Sequence, residues 1–142
     1  DYFQLITDNV RVVRYRGLSS VICDKNYVRE RYGITPEYYA DWKSLVGDTA
    51  DNIKGIPGVG PKTATRLINN YGSISEMLAN VEEVQPEKLR EKIREGKEIL
   101  LRNYSLIRLD DTGVLPFEIE ELEYTAERIR TMDVLRKIEL LP

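Results

Sequence analysis

Ile56-Pro57-Gly58-Val59-Gly60-Pro61-Lys62-Thr63-Ala64 decides how this sequence is read. Two glycines flank one apolar residue directly before a helix start marked by Pro61. Glycine lets the backbone bend tightly and come close to a ligand. The first N–H groups of the following helix lack intrahelical partners. The helix dipole adds positive potential there, so a phosphate fits. Lys62 and Thr63 add a charge and a hydroxyl in that first turn, and Val59 is expected to point inward and anchor the turn. Such a turn grips the nucleic-acid backbone and reads no bases. The glycines alone suit an ordinary Gly-rich interhelical turn. Joined to Pro57, Lys62, Thr63 and Ala64, they point to phosphate binding through Gly58, Val59, Gly60, Lys62 and Thr63.

Immediately upstream stands Gly47-Asp48-Thr49-Ala50-Asp51-Asn52-Ile53. Asp48 and Asp51 are spaced i, i+3, which brings both carboxylates to one side if the segment is helical. Carboxylates facing the same way repel unless a cation or donor lies between them. Hard oxygen ligands suit magnesium or manganese. The alternative makes one aspartate a helix N-cap and leaves the other in solvent. Proximity to the phosphate-binding turn favours the ligand reading. Residues 52–72 contain no acid, so Lys54, Lys62 and Arg66 read as a local DNA-facing patch. Phosphate contacts need clustered charge more than net charge.

The rest of the composition narrows the chemistry. The chain has 142 residues, 42% hydrophobic and 32% charged, as in an ordinary soluble globular domain with a modest core. No apolar run approaches membrane-span length and no secretory core is present. With no histidine, imidazole catalysis and His-ligated zinc are excluded within this chain. Cys23 is the single cysteine, so internal disulfides and Cys-cluster metal sites are excluded too. The net charge of -3 hides a polarity. The first 75 residues carry two more bases than acids, and the remainder five more acids than bases. The chain begins at Asp1 rather than Met, and is expected to be a piece of a longer protein.

The fold class is mainly α. A compact set of helices surrounds a helix–hairpin–helix motif, with a short N-terminal β segment. Residues 1–23 read as a hairpin or sheet edge whose partner strands lie upstream. Asp24 and Gly33 bracket a helix over 25–32. Thr35-Pro36-Glu37 starts another, with Tyr38, Trp42, Leu45 and Val46 on one face. Pro61 opens a helix stopped by Gly72, and Ser73 with Glu76 forms a capping-box pattern. One long helix is expected over 86–109, weakened in its middle by Gly96. A closing helix over 126–138 is expected to bury Ile129, Met132, Leu135 and Ile138. Three parts result: 1–23, 24–110 and 111–142.

Residues 47–53 followed by 55–64 resemble the helix–three-turn–helix signature of the 5′ nuclease superfamily. That superfamily contains flap endonucleases, the 5′→3′ exonuclease domain of bacterial DNA polymerase I, and phage exonucleases. Asp1-Tyr2-Phe3-Gln4-Leu5 resembles the family segment in which Gly-Asp-x-Asp precedes Gln-Leu, and Leu100-Leu101-Arg102-Asn103-Tyr104 resembles the helix after the hairpin. The resemblance implies metal-dependent hydrolysis of DNA phosphodiesters at 5′ ends or flaps, with two divalent ions, Mg2+ or Mn2+. Asp1, Asp48 and Asp51 would belong to the carboxylate cluster. Carbonyls of Gly55, Ile56 and Gly58 would be candidates for a potassium ion. Residues 1–23 would close an α/β nuclease sheet that begins upstream, where most of the ligands and the helical arch lie. The implied partners are duplex DNA with a 5′ end or flap, the missing N-terminal nuclease half, and in one branch a covalently linked DNA polymerase. A monomer acting in the cytoplasm at the nucleoid is expected, with no membrane association. The fragment alone is expected to bind DNA weakly and to cut poorly or not at all.

Two other readings compete. A non-catalytic helix–hairpin–helix module that docks DNA explains the glycines and Lys62 without Asp1, Asp48 or Asp51. A helical protein-interaction domain explains the helices alone. Arg11, Arg14, Arg16, Lys25, Arg29 and Arg31 form a basic stretch that suits either substrate or solvent. Lys88, Arg90, Lys92, Arg94 and Lys97 alternate with Glu87, Glu91, Glu95 and Glu98, the pattern of a solvated, salt-bridged helix face. Trp42 and the tyrosines at 38, 39, 71 and 104 read as core.

Overall fold

Capping residues, proline and glycine set several helix boundaries in the computed structural model, which describes residues 1–114, 116–122 and 131–138. Helix α1 spans Lys25–Tyr32. The Asp24 carboxylate accepts the Tyr27 N–H at 2.9 Å, and Gly33 closes the helix at φ 71°. A 3-10 turn, Pro36–Tyr38, leads into α2, Tyr39–Val46. Helix α3 is Pro61–Tyr71, with Pro at its first position and Gly72 after its last residue. Helix α4, Ile74–Ala79, carries the full capping box between Ser73 and Glu76.

The single helix expected over 86–109 is instead two, α5 at Glu87–Glu95 and α6 at Lys97–Ile107. Gly96 lies buried at the joint. A Cβ there would strike the Ile56 side chain and come within 2.9 Å of the Lys92 carbonyl oxygen. The break therefore answers to tertiary packing as well as to low helix propensity.

Helix α2 packs against both α3 and α6. The buried cluster includes Leu45, Ala64, Leu67, Ile68, Ile74, Met77, Ile93 and Leu100. Trp42 belongs to it, and its indole N–H donates to the Thr65 hydroxyl at 3.0 Å. Tyr39 is buried, while Tyr38, Tyr71 and Tyr104 pack half-buried against the cluster. Asn103 is also buried. Its amide donates to the carbonyls of Ser44 at 3.1 Å and Lys54 at 2.8 Å, joining α6 to the segment after α2. Asn103→Leu is expected to leave two carbonyls unpaired and destabilise the chain by about 2 kcal/mol. A thermal melt unchanged by the substitution would contradict this.

Two short antiparallel pairs complete this part. Strands β1, Val12–Arg14, and β2, Val21–Cys23, pair with Val12 opposite Cys23 and Val13 opposite Ile22. Cys23 is buried, whereas Val13 and Ile22 are each 61% exposed. Strands β3, Gly47–Asp48, and β4, Ile53–Lys54, form the second pair. The chain divides into two units, Asp1–Asp110 and Asp111–Pro142. The second contains a 3-10 turn, Ile119–Leu122, and α7, Thr131–Lys137. The burial expected for its closing helix is not met: Met132 is 51% and Ile138 55% exposed. Leu135 is half-buried and Ile129 lies outside the described residues. Among the described residues no helix is long and apolar enough to cross a membrane.

Candidate metal centre and nucleic-acid interface

The connection between α2 and α3 carries both devices read from the sequence. Asp48 and Asp51 do not share a helical face. Asp48 lies in β3, and the chain reverses through residues 49–52, with Asn52 at φ 57°. The carboxylates converge because a hairpin turns back between them. Neither caps a helix; one Asp48 oxygen accepts the Ala50 N–H at 3.1 Å.

Asp1 completes a cluster. One carboxylate oxygen from each of Asp1, Asp48 and Asp51 lies within 4.8 Å of the others. Asp48 is buried, and Asp1 and Asp51 are exposed. The segment behind Asp1 is held by Gln4, whose amide N–H donates to the Ile107 carbonyl at 3.0 Å while its oxygen accepts the Leu109 N–H at 3.1 Å. The end of α6 thus positions the chain's first residues.

Lys43 of α2 was not among the sequence candidates. Its ammonium donates to Asp1 Oδ1 at 2.9 Å and also to Asp48 Oδ2. That ammonium holds the Asp48 carboxyl below the usual carboxylate range. One ammonium among three carboxylates leaves an excess of negative charge in a site of hard oxygen donors. Lys43 and Asp48 are five positions apart across the end of a helix and the start of a strand, so no spacing rule points to the lysine.

The glycine turn follows. The Ile56 N–H donates to the Leu45 carbonyl at 2.9 Å, and the Val59 N–H to the Ile56 carbonyl at 2.9 Å. Val59 is buried and faces the core, Gly58 sits at φ 79°, and Gly60 caps α3 with no side chain. The first bond of α3 runs from the Ala64 N–H to the Gly60 carbonyl at 3.0 Å. The Lys62 and Thr63 N–H groups precede it and remain available to a ligand. Lys54, Lys62 and Arg66 are exposed and Thr63 is half-buried. Of the potassium candidates, Ile56 already uses its carbonyl within the turn, and Gly55 sits where two backbone segments cross.

The other basic residues sort differently from the expectation. Lys25 pairs with Asp8 at 2.9 Å, Arg14 donates to the Tyr27 hydroxyl at 3.0 Å, and Arg31 lies over the rings of Tyr27 and Tyr32. These three stabilise the N-terminal hairpin and α1. On α5, Lys88 and Lys92 do not join a salt-bridged outer face; they line a cleft with Gly58, Thr63 and Arg66. Alternating charge in a helix does not reveal which of its lysines a neighbouring turn faces.

A glycine turn between two packed helices, with free N–H groups at the second helix start, defines a helix–hairpin–helix domain. The family described as 5′-3′ exonuclease, C-terminal SAM fold, matches residues 34–130, and the chain belongs to it. DNA polymerase I of Bacillus subtilis (strain 168) is 37% identical over 126 residues, 87% of this chain and 14% of the polymerase. Flap endonuclease Xni of Aeromonas salmonicida (strain A449) is 34% identical over 123 residues, 87% of this chain and 46% of that protein. A structure of bacteriophage T5 5′-exonuclease shares the fold with a TM-score of 0.65 at 24% identity, over 75% of this chain and 40% of that one. The chain therefore spans less than half the length of each of these proteins. It corresponds to the helical C-terminal part of the nuclease.

Proposed function

We propose that this chain is the DNA-gripping C-terminal portion of a divalent-metal-dependent 5′→3′ exonuclease or flap endonuclease. The observation that carries the reading is the convergence of Asp1, Asp48 and Asp51, in the connection that also carries the glycine turn before α3. A docking module has no use for three carboxylates held together around a lysine. Relatives named as flap endonuclease and DNA polymerase I, and T5 5′-exonuclease structures holding metal ions, support it.

Asp1, Asp48 and Asp51 fit Mg2+ or Mn2+, since hard carboxylate oxygens lie within reach of a common point. Divalent ions held in part by these carboxylates would supply a polarised water and charge neutralisation at the phosphate. Asp1 and Asp51 face solvent, where substrate arrives, while Asp48 anchors the cluster from within. Lys43 balances part of the negative charge. The N–H groups of Lys62 and Thr63, with the Lys62 ammonium, Lys54 and Arg66, hold the backbone of duplex DNA with a 5′ end or flap. That fixes the distance between the gripped phosphate and the cluster. Carbonyls of Gly55, Ile56 and Gly58 remain candidates for potassium.

The β1–β2 hairpin, with its exposed Val13 and Ile22, forms the edge of a sheet supplied by an upstream nuclease half. Further metal ligands belong to that half, so this chain alone is inactive. The parent is a monomer at the cytoplasmic nucleoid, either free-standing or joined to a DNA polymerase.

The experiment is cleavage of 5′-flap and 5′-recessed duplexes by the parent protein in Mg2+ and in EDTA. Metal-dependent release of the 5′ strand supports the reading. Tight DNA binding without cleavage in any divalent metal would favour the docking module. Lys62→Ala is expected to weaken binding of all duplex sequences alike and to lower the salt slope by about 0.9. A change in base preference would contradict a phosphate role.

A further inference from the structure

The basic residues of α5 divide into two groups. Arg90 pairs with Glu87 at 3.4 Å and Arg94 pairs with Glu82. Lys88 and Lys92, four residues apart and so on one face, have no ion pair among the described residues. They line a cleft of about 240 Å³, into which Arg66 and Thr63 of α3 also open. Contact with the glycine turn is direct: a Cβ on Gly58 would land on the Lys92 ammonium nitrogen. The left-handed φ of 79° is what calls for glycine at 58, and it leaves the Lys92 ammonium against the turn.

Folding does not call for this arrangement. Leu89 and Ile93 already give α5 its buried face. Three like charges around one cleft repel each other, and lysines at i, i+4 destabilise a helix slightly. An anion in the cleft relieves that repulsion, and Thr63 adds a hydroxyl donor. A DNA strand carries one charge every ~3.4 Å of helix axis. A strand held at the hairpin therefore brings further phosphates past its flank.

We infer that Lys92, with Lys88 and Arg66, forms a second phosphate seat for the DNA strand held at the glycine turn. This rests on the DNA-gripping reading of that turn. The seat is supplied by a helix outside the helix–hairpin–helix motif, so the grip extends over more than one phosphate of the duplex. It reads charge and not sequence.

The test is duplex binding by the parent protein in EDTA, followed by fluorescence anisotropy across a salt series. Lys88→Gln, Lys92→Gln and their combination are compared with Lys62→Gln. Each neutralised seat lysine is expected to reduce the salt slope by about 0.9, shrinking the affinity lost between about 50 and about 200 mM salt by about threefold. Lys92→Arg should retain the slope, which a purely space-filling role for Lys92 would not require. Lys88 is exposed, so Lys88→Gln carries the test even if Lys92→Gln fails to fold. If Lys62→Gln lowers the slope while both seat variants leave it intact, the second seat is wrong and the hairpin reading stands. If all three leave it intact, the hairpin does not grip DNA and both fall.

Discussion

On the proposed metal-dependent nuclease reading, Asp48→Asn in the parent protein is expected to cut cleavage of a 5′-flap duplex in Mg2+ by roughly a thousandfold, since metal stabilisation of the transition state is worth several kcal/mol. Asp51→Asn should do the same on a smaller scale, because Asp51 is exposed and water can replace part of its contribution. The Asp48 effect has two sources that must be separated. Asp48 is also the buried partner of Lys43, so its loss leaves a half-buried ammonium with Asp1 alone. That structural cost is on the order of 1–3 kcal/mol. The double variant Asp48→Asn/Lys43→Met removes the stranded charge. It should recover thermal stability and recover no cleavage. Recovery of both would show that Asp48 serves the fold and holds no metal. Titration of Mn2+ followed by calorimetry adds a readout independent of turnover: the single Asp48 variant should lose heat of binding.

The parts of this structure that could be read from sequence are those set by local chemistry. Asp24 before a helix, Pro61 at a first turn, Ser73 with Glu76, and Gly72 after Tyr71 each satisfy backbone groups within a few residues. Val59 could be turned inward from its place between two glycines alone. What could not be read depends on partners distant in the chain. The joint at Gly96 exists where Ile56 packs against it. Asp48 and Asp51 approach in a hairpin and not on a helix face, because Asn52 accepts a left-handed backbone. Asp1 entered the cluster through a family likeness, and its placement depends on Gln4 bonding to the end of α6. Lys43 and Lys92 gave no signal, since a helix surface lysine looks the same whether it faces water, a carboxylate pair or a glycine turn.

Gly55→Ala is the substitution expected to damage the fold most. A Cβ at Gly55 would overlap the backbone carbonyl of Val46 and the carbonyl oxygen of Leu45. These are main-chain atoms at the end of α2, so no side chain can move aside. The same crossing holds the Ile56 N–H bond to the Leu45 carbonyl at 2.9 Å. Gly47 closes the crossing from the other side, with φ 89° and the Gly55 nitrogen 2.5 Å from where its own Cβ would stand. Adding one methyl group therefore pushes β4 away from α2, at a cost of about 3 kcal/mol or more. Gly60→Ala is the control within the same motif. Nothing lies within 4 Å of its Cβ position and its φ is -90°, so its stability should change by less than about 0.5 kcal/mol. Urea denaturation measures both. A Gly55→Ala midpoint equal to wild type would show that the crossing is looser than the structure has it. The damage should also reach the acids. Asp48 lies on the strand that pairs with β4, so a Gly55 variant that still folds should lose metal affinity, while Gly60→Ala keeps it. The glycines of this motif, alike in sequence, thus separate by what surrounds each: Gly55 crosses the backbone of α2, Gly58 takes a left-handed φ beside the ammonium of Lys92, and Gly60 has nothing within 4 Å of its Cβ position.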